Sequence, residues 1–205
     1  MKVIDLIEHL RTDVLRDAAK PYLFSDDALL MYGNEGLNRF ARATHYFTDE
    51  VEINASADVA RYDLPKGTIH VRQVQIDGRW LTPFTRRAKP AGSVGRPSSY
   101  STDPAQRGLK LWPRPDSSYL LAIERAYAPQ KLELDDEIPL PDEWAMLLGE
   151  WIVYRALRNN DPDGSNTVSA TGFWEQWKLG LRDAKREVTQ MSMGDQPSAQ
   201  PQPWT

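Results

Sequence analysis

The sequence predicts an α+β fold: a four-helix body formed by both chain ends, an inserted antiparallel β-subdomain and an extended C-terminal tail. Three observations predict it. Apolar residues recur at helical spacing before about residue 48 and again from residue 139 to 190, and between residues 50 and 130 they alternate with period two. At 205 residues the chain suits one domain, residues 1–190, followed by a tail at 191–205.

Val3, Leu6, Ile7, Leu10 and Val14 share one helical face, with Asp13 and Asp17 on others, and Pro21 stops this helix after about Lys20. Ser25 is then an N-cap, its hydroxyl able to take a free amide while Asp26 and Asp27 favour the positive helix start. Leu29, Leu30, Leu37 and Phe40 make the buried side of the second helix. Gly33 and Gly36 each cost about 1 kcal/mol there relative to Ala, which predicts close approach of another backbone.

From Val51 the pattern alternates. Tyr62, Leu64, Ile69, Val71, Val74 and Ile76 read as strands, and Asp77-Gly78 fits a type I′ hairpin turn. Arg86 to Ser99 carries Arg86, Arg87, Lys89 and Arg96 without an acid, and its prolines and glycines predict a long exposed loop. Leu109 and Leu111, then Tyr119, Leu121, Ile123 and Tyr127, read as two antiparallel strands joined by Pro113-Arg-Pro-Asp-Ser-Ser118.

Pro141 reads as the first residue of helix three, with Asp142 and Glu143 complementing its dipole. Trp144, Leu147, Leu148, Trp151, Ile152, Val153, Tyr154 and Leu157 make it apolar all round, so it needs cover on more than one flank, which neighbouring copies could supply. Helix four carries Phe173, Trp177, Leu181, Ala184 and Val188 on one stripe and ends near Gln190. The tail from Met191 holds three prolines and one charged residue, too little apolar surface to fold alone.

Composition closes several function classes. With no cysteine there is no disulfide framework or thiolate chemistry. A net charge of −4 opposes a dedicated DNA binder but suits a surface that DNA slides past. No apolar run approaches the ~20 residues that cross a bilayer, and Met1-Lys-Val-Ile-Asp-Leu6 lacks the pattern of a signal peptide, so folding in a cytoplasm is expected. His9, His45 and His70 fall in different elements, without a partner at metal-ligand spacing. Asp161-Pro-Asp163-Gly-Ser165 opens like a calcium loop, but Asn166 and Gly172 stand where glycine and glutamate are required. Serine-hydrolase, nucleotide-loop and dinucleotide motifs do not occur, so no catalytic residue, metal or cofactor is expected.

The binding residues are sought elsewhere. Trp174 and Trp177 share one side of helix four with Arg182, Lys185 and Arg186, residue types that either pack the core or anchor a partner. Glu133, Asp135, Asp136 and Glu137 read as a solvated connector, or as a cation or basic-partner site. Trp80 and Trp112 read as packing, with stacking on sugars or bases as the other option.

Several segments resemble the head-to-tail adaptor (head completion) proteins of tailed bacteriophages, which sit between the portal and the tail machinery. They are Ser25-Asp-Asp-Ala-Leu-Leu30 and Asn34-Glu-Gly-Leu-Asn38 opening the second helix, Tyr62-Asp-Leu-Pro65, Leu111-Trp-Pro-Arg-Pro-Asp116 with Tyr119, and Pro139-Leu-Pro-Asp-Glu-Trp144. Their order and spacing over residues 3–190 carry the likeness. The resemblance implies a non-enzymatic virion protein of the neck: a homo-oligomeric, dodecameric ring binding the portal protein and a tail or nozzle protein, with DNA passing through its lumen. It further implies partner contacts through Trp174, Trp177, Arg182, Arg186, Met191, Met193, Pro203 and Trp204. Arg86, Arg87, Lys89 and Arg96 are expected to meet DNA or a tail protein. A carbohydrate-binding or tail-fibre module would also explain the aromatic β-region, and a small hydrolase is a third class that lacks a motif.

Overall fold

Along the chain, helices at both ends flank a run of strands, an α+β order. The computed structural model describes residues 1–84, 92–103, 108–159 and 167–194. The chain divides into two compact units: Met1–Thr44 with Gln130–Thr205, and His45–Pro129.

The helical unit comprises α1 (Val3–His9), α2 (Asp26–Thr44), α3 (Asp142–Asn159) and α4 (Thr167–Gly194). The first helix does not reach Lys20. It ends at His9 and passes into a π-helical turn, Leu10–Val14, after which Arg16 adopts φ 55° and breaks the spiral. Asp17 is therefore not on a solvated helix face. It is buried, accepts the amides of Leu23 (2.8 Å) and Phe24 (3.0 Å), and pairs at 3.2 Å with the buried Arg11 guanidinium, which also reaches Asp26. Burying this charge is tolerable because Asp17 accepts three hydrogen bonds and the Arg11 guanidinium also donates to the Phe24 carbonyl at 2.8 Å. Ser25 caps α2 as expected, Oγ accepting the Ala28 amide at 3.2 Å. Asn34 does not open that helix. It lies mid-helix and clamps Leu132, accepting its amide at 2.7 Å and donating to its carbonyl at 3.0 Å.

The acidic connector is a tie between chain ends. Val3 and Ile4 donate to the carbonyls of Asp136 and Leu134, and Ile138 donates to Met1, each at 3.0 Å. Pro141 precedes α3 instead of starting it, its carbonyl accepting the amides of Trp144 and Ala145. α3 is covered from within the chain, packing against α1, α2 and α4. Neighbouring copies are not needed to hide it. Glycine lets the neighbours in: a Cβ at Gly36 would lie 2.5 Å from Leu148 Cδ1 and 2.7 Å from Trp151 Cδ1. The close approach predicted at Gly36 is thus to side chains of α3, not to another backbone. α4 buries Trp177, Ala184 and Val188 of the predicted stripe and runs on to Gly194, past the expected end at Gln190. Met191 to Gly194 are helical, since the first residue that bars a helix is Pro197.

The second unit holds β1 (Thr48–Ala55), β2 (Arg61–Asp63), β3 (Thr68–Ile76), β4 (Arg79–Trp80), β5 (Thr82–Pro83), β6 (Ser99–Asp103), β7 (Gly108–Trp112) and β8 (Tyr119–Tyr127). They form two four-stranded sheets, ordered β1-β8-β3-β4 and β2-β7-β6-β5. Ala55, Val71, Val74, Ile76, Leu109, Leu111, Leu121 and Ile123 from both sheets make one core. Asp77 (φ 49°) and Gly78 (φ 74°) form the predicted turn between β3 and β4, with Ile76 opposite Arg79. The burial pattern of β3 slips between Val71 and Val74 because Arg72 is an extra, bulged residue against β8.

Two strand expectations are corrected. β7 and β8 do not form a hairpin. Each already has a partner on both edges, β2 and β6 for the one and β1 and β3 for the other, so they belong to different sheets. Nor is the subdomain wholly antiparallel, for β5 and β6 pair in parallel. The described part of the predicted loop is also tied down: Val94 bridges Arg114, Ser98 donates to the Trp112 carbonyl at 3.0 Å, and Ser99 already begins β6.

Candidate partner-binding surface

α4 is amphipathic, and its two sides have different fates. Trp177 is 2% exposed, its ring tilted at 51° and 5.5 Å from that of Trp151, so the structure makes it core. Trp174 is half-buried. Its ring lies 5.2 Å from Tyr154 and 6.0 Å from Trp151, with the Lys178 ammonium 5.5 Å away. Arg182 and Arg186 are exposed, with Arg186 3.2 Å from Asp183, and Met191 is 58% exposed one to two turns further on. Exposed pairs of this kind contribute little to stability, which leaves both guanidinium groups free for other work. Met193 lies on the same helix. Pro203 and Trp204 fall outside the described residues, as do Arg86, Arg87 and Lys89. Arg96 is described and already paired, 2.9 Å from Asp77 of the β3–β4 turn.

A groove between α3 and α4, invisible in the sequence, adjoins this face. Leu147 sits where Gly180 lacks a side chain; a Cβ there would fall 2.4 Å from Leu147 Cδ1. Met146 and Leu179 stay 43% and 44% exposed along the groove, and Glu143, Glu150, Asp183, Glu187 and Arg182 rim it. Desolvation by burial raises the pKa of Glu150. With an apolar floor and a charged rim, the groove is a candidate docking surface, and its described lining residues bring together no nucleophile and base.

His45 and His70, read from sequence as unrelated, stack at 5.1 Å and 8°. Among the described residues no group of three or more His, Asp or Glu could hold a metal ion. The Asp161–Ser165 segment lies outside the described residues. Trp80 does not pack into the core as expected: it is 56% exposed on the two-residue edge strand β4, whereas Trp112 is half-buried on β7. No described helix is long and apolar enough to cross a membrane.

Residues 1–201 match the SU10 adaptor protein family. The chain belongs to that family. It is thus a phage head–tail adaptor by family, a structural protein and not an enzyme. No curated protein matches the chain. An adaptor works by contact, so the candidate contact residues of this SU10 family member are those its fold leaves uncovered. Sequence reasoning named the arginines of α4 as candidates and did not foresee the groove, where Leu147 and Gly180 meet across two helices.

Proposed function

We propose that this adaptor joins the portal to the tail in the virion neck, as a ring, expected to be dodecameric, through which the genome passes. The observation that carries the reading is the family match over residues 1–201. The exposed Arg182 and Arg186 on one face of α4, with exposed Met191 further along the helix, support it. That face takes the portal, while Met193 and the tail with Pro203 and Trp204 seat against the portal or a neighbouring adaptor. Arg86, Arg87, Lys89 and Arg96 meet DNA or the tail or nozzle protein, and the net charge of −4 keeps DNA from adhering to the rest of the chain.

The test is capture by purified portal rings, read by native mass spectrometry. Wild type should join the ring. A variant carrying Arg182→Glu, Arg186→Glu and Met191→Asp should keep its thermal transition and lose capture. If wild type at high concentration stays unbound, the portal role is wrong. Replacing Arg86, Arg87, Lys89 and Arg96 by Ser should leave folding intact and alter genome retention or tail docking; unchanged particles would remove the contact role of that segment.

A further inference from the structure

We infer that the outer edge of β1 receives residues 195–205 of a second copy as an added, antiparallel strand. This deepens the ring reading above and rests on it.

β1 is the long edge of this unit. It pairs along all eight residues with β8, and among the described residues no strand pairs with its other side. The other sheet edges, β2, β4 and β5, have only three, two and two residues. Burial on β1 is also unfinished. Val51 and Ile53 pack on the shared core only partly buried, while Ile123 and Leu121, directly opposite them on β8, are 0% exposed. The Tyr127 amide donates to the Phe47 carbonyl at 2.9 Å, which makes the odd-numbered residues those bonded to β8. Alternation then turns the amides and carbonyls of Thr48, Glu50, Glu52 and Asn54 to the free edge. The next even position is already served, Ser56 donating to the Tyr62 hydroxyl at 3.1 Å.

Residues 195–205 read Asp-Gln-Pro-Ser-Ala-Gln-Pro-Gln-Pro-Trp-Thr, with Pro197, Pro201 and Pro203 all at odd positions. In an extended strand, residues of one parity point their amides to one edge and their side chains to one face. The even residues Gln196, Ser198, Gln200, Gln202 and Trp204 therefore keep every amide for pairing. The prolines lie on the opposite edge, where a missing donor costs nothing and no further strand can add. The faces separate as well. Pro197, Ala199, Pro201 and Pro203 would cover the core-side flank beside Val51 and Ile53, and the glutamines and Ser198 would join exposed Glu50, Glu52 and Asn54. For L-residues, both conditions hold together only when the segment runs antiparallel to β1.

A second copy is the donor because a ring needs each subunit to give one surface and accept with a different one. A receiving edge and a donated segment are two such surfaces, joined by main-chain hydrogen bonds as in β-strand addition.

The chain has no cysteine, so introduced ones report without background. Glu52→Cys and Gln200→Cys chains, prepared separately, are mixed under mild oxidation, alone and with portal rings; Ser198→Cys covers the adjacent even register. An intermolecular disulfide between Glu52→Cys and an even-position cysteine is expected, with at least a tenfold lower yield for Ala199→Cys, whose side chain faces the other way. Equal yield from Ala199→Cys, an intrachain disulfide in a single chain carrying both Glu52→Cys and Gln200→Cys, or no disulfide under either condition overturns the inference. Portal capture of the unmodified chain is measured in parallel. Capture without the disulfide removes this pairing alone, whereas the disulfide without capture removes the portal role and keeps the pairing.

Discussion

The helical and β units bury their centres by opposite means. The helical unit is assembled from segments about a hundred residues apart, held by contacts such as Asn34 to Leu132, and it closes around α3 on three sides. The β unit is one continuous stretch, and its sheet stops at an eight-residue edge where Val51 and Ile53 remain half-covered. Both bury an arginine: Arg11 on Asp17 and Asp26, and Arg125 on Asp49 at 2.8 and 3.0 Å. The difference lies in what glycine does. In the helices it admits a neighbour's side chain, at Gly36 and Gly180, while at Gly78 it turns the chain. A helix is finished when its flanks are filled, but a sheet always ends in unpaired backbone. Among the described strands, the outer edge of β1 is thus a long row of main-chain donors and acceptors open to a partner.

The largest test of this contrast is Trp151→Asp. Trp151 is 2% exposed, touches Tyr154, Trp174 and Trp177, and lies under the Arg39 guanidinium at 4.5 Å. Losing that ring and burying a carboxylate should cost more than about 4 kcal/mol and unfold the helical unit. Circular dichroism and thermal unfolding read the loss; a helical signal and Tm like wild type would mean that α3 is not the centre.

Gly36→Ala comes next. The added methyl would meet Leu148 and Trp151, both buried, so a loss of about 1–3 kcal/mol is expected even after the helix-propensity gain. Gly180→Ala meets only the end of Leu147, which borders the open groove, and should cost less than Gly36→Ala in the same denaturant titration. Equal costs would show that the two α3 flanks are equally rigid.

Gly78→Ala puts a Cβ at φ 74°, where the backbone is strained but the space is empty. About 1 kcal/mol should be lost, with the helical circular dichroism unaffected below the transition. The smallest effect belongs to Glu150→Gln. Desolvation raises the folded-state pKa of Glu150, so the folded chain holds this proton at higher pH than the unfolded chain does. The charge therefore costs stability at neutral pH, and the cost fades as pH falls through the raised value and below the ordinary carboxylate range. Glu150→Gln should raise Tm slightly at pH 7 and match wild type in acid; the reverse order would show that the carboxylate is stabilised by a partner.

The sequence by itself determined what depends on neighbours along the chain. The Ser25 cap, the Asp77-Gly78 turn, the stripe of α4 and the switch from helical to alternating period are local, because each rests on backbone preferences or on side chains within one or two turns. Proline parity in the tail is equally local. What the tertiary structure alone decided are pairings between distant residues. β7 and β8 look like a hairpin until both their edges are seen to be taken, and Asp17 looks solvated until Arg11 reaches it. Trp177 and Arg182 look alike as binding residues until packing hides one and leaves the other. Periodicity states which face is apolar; which neighbour covers it depends on contacts made across long loops, and no local pattern encodes them.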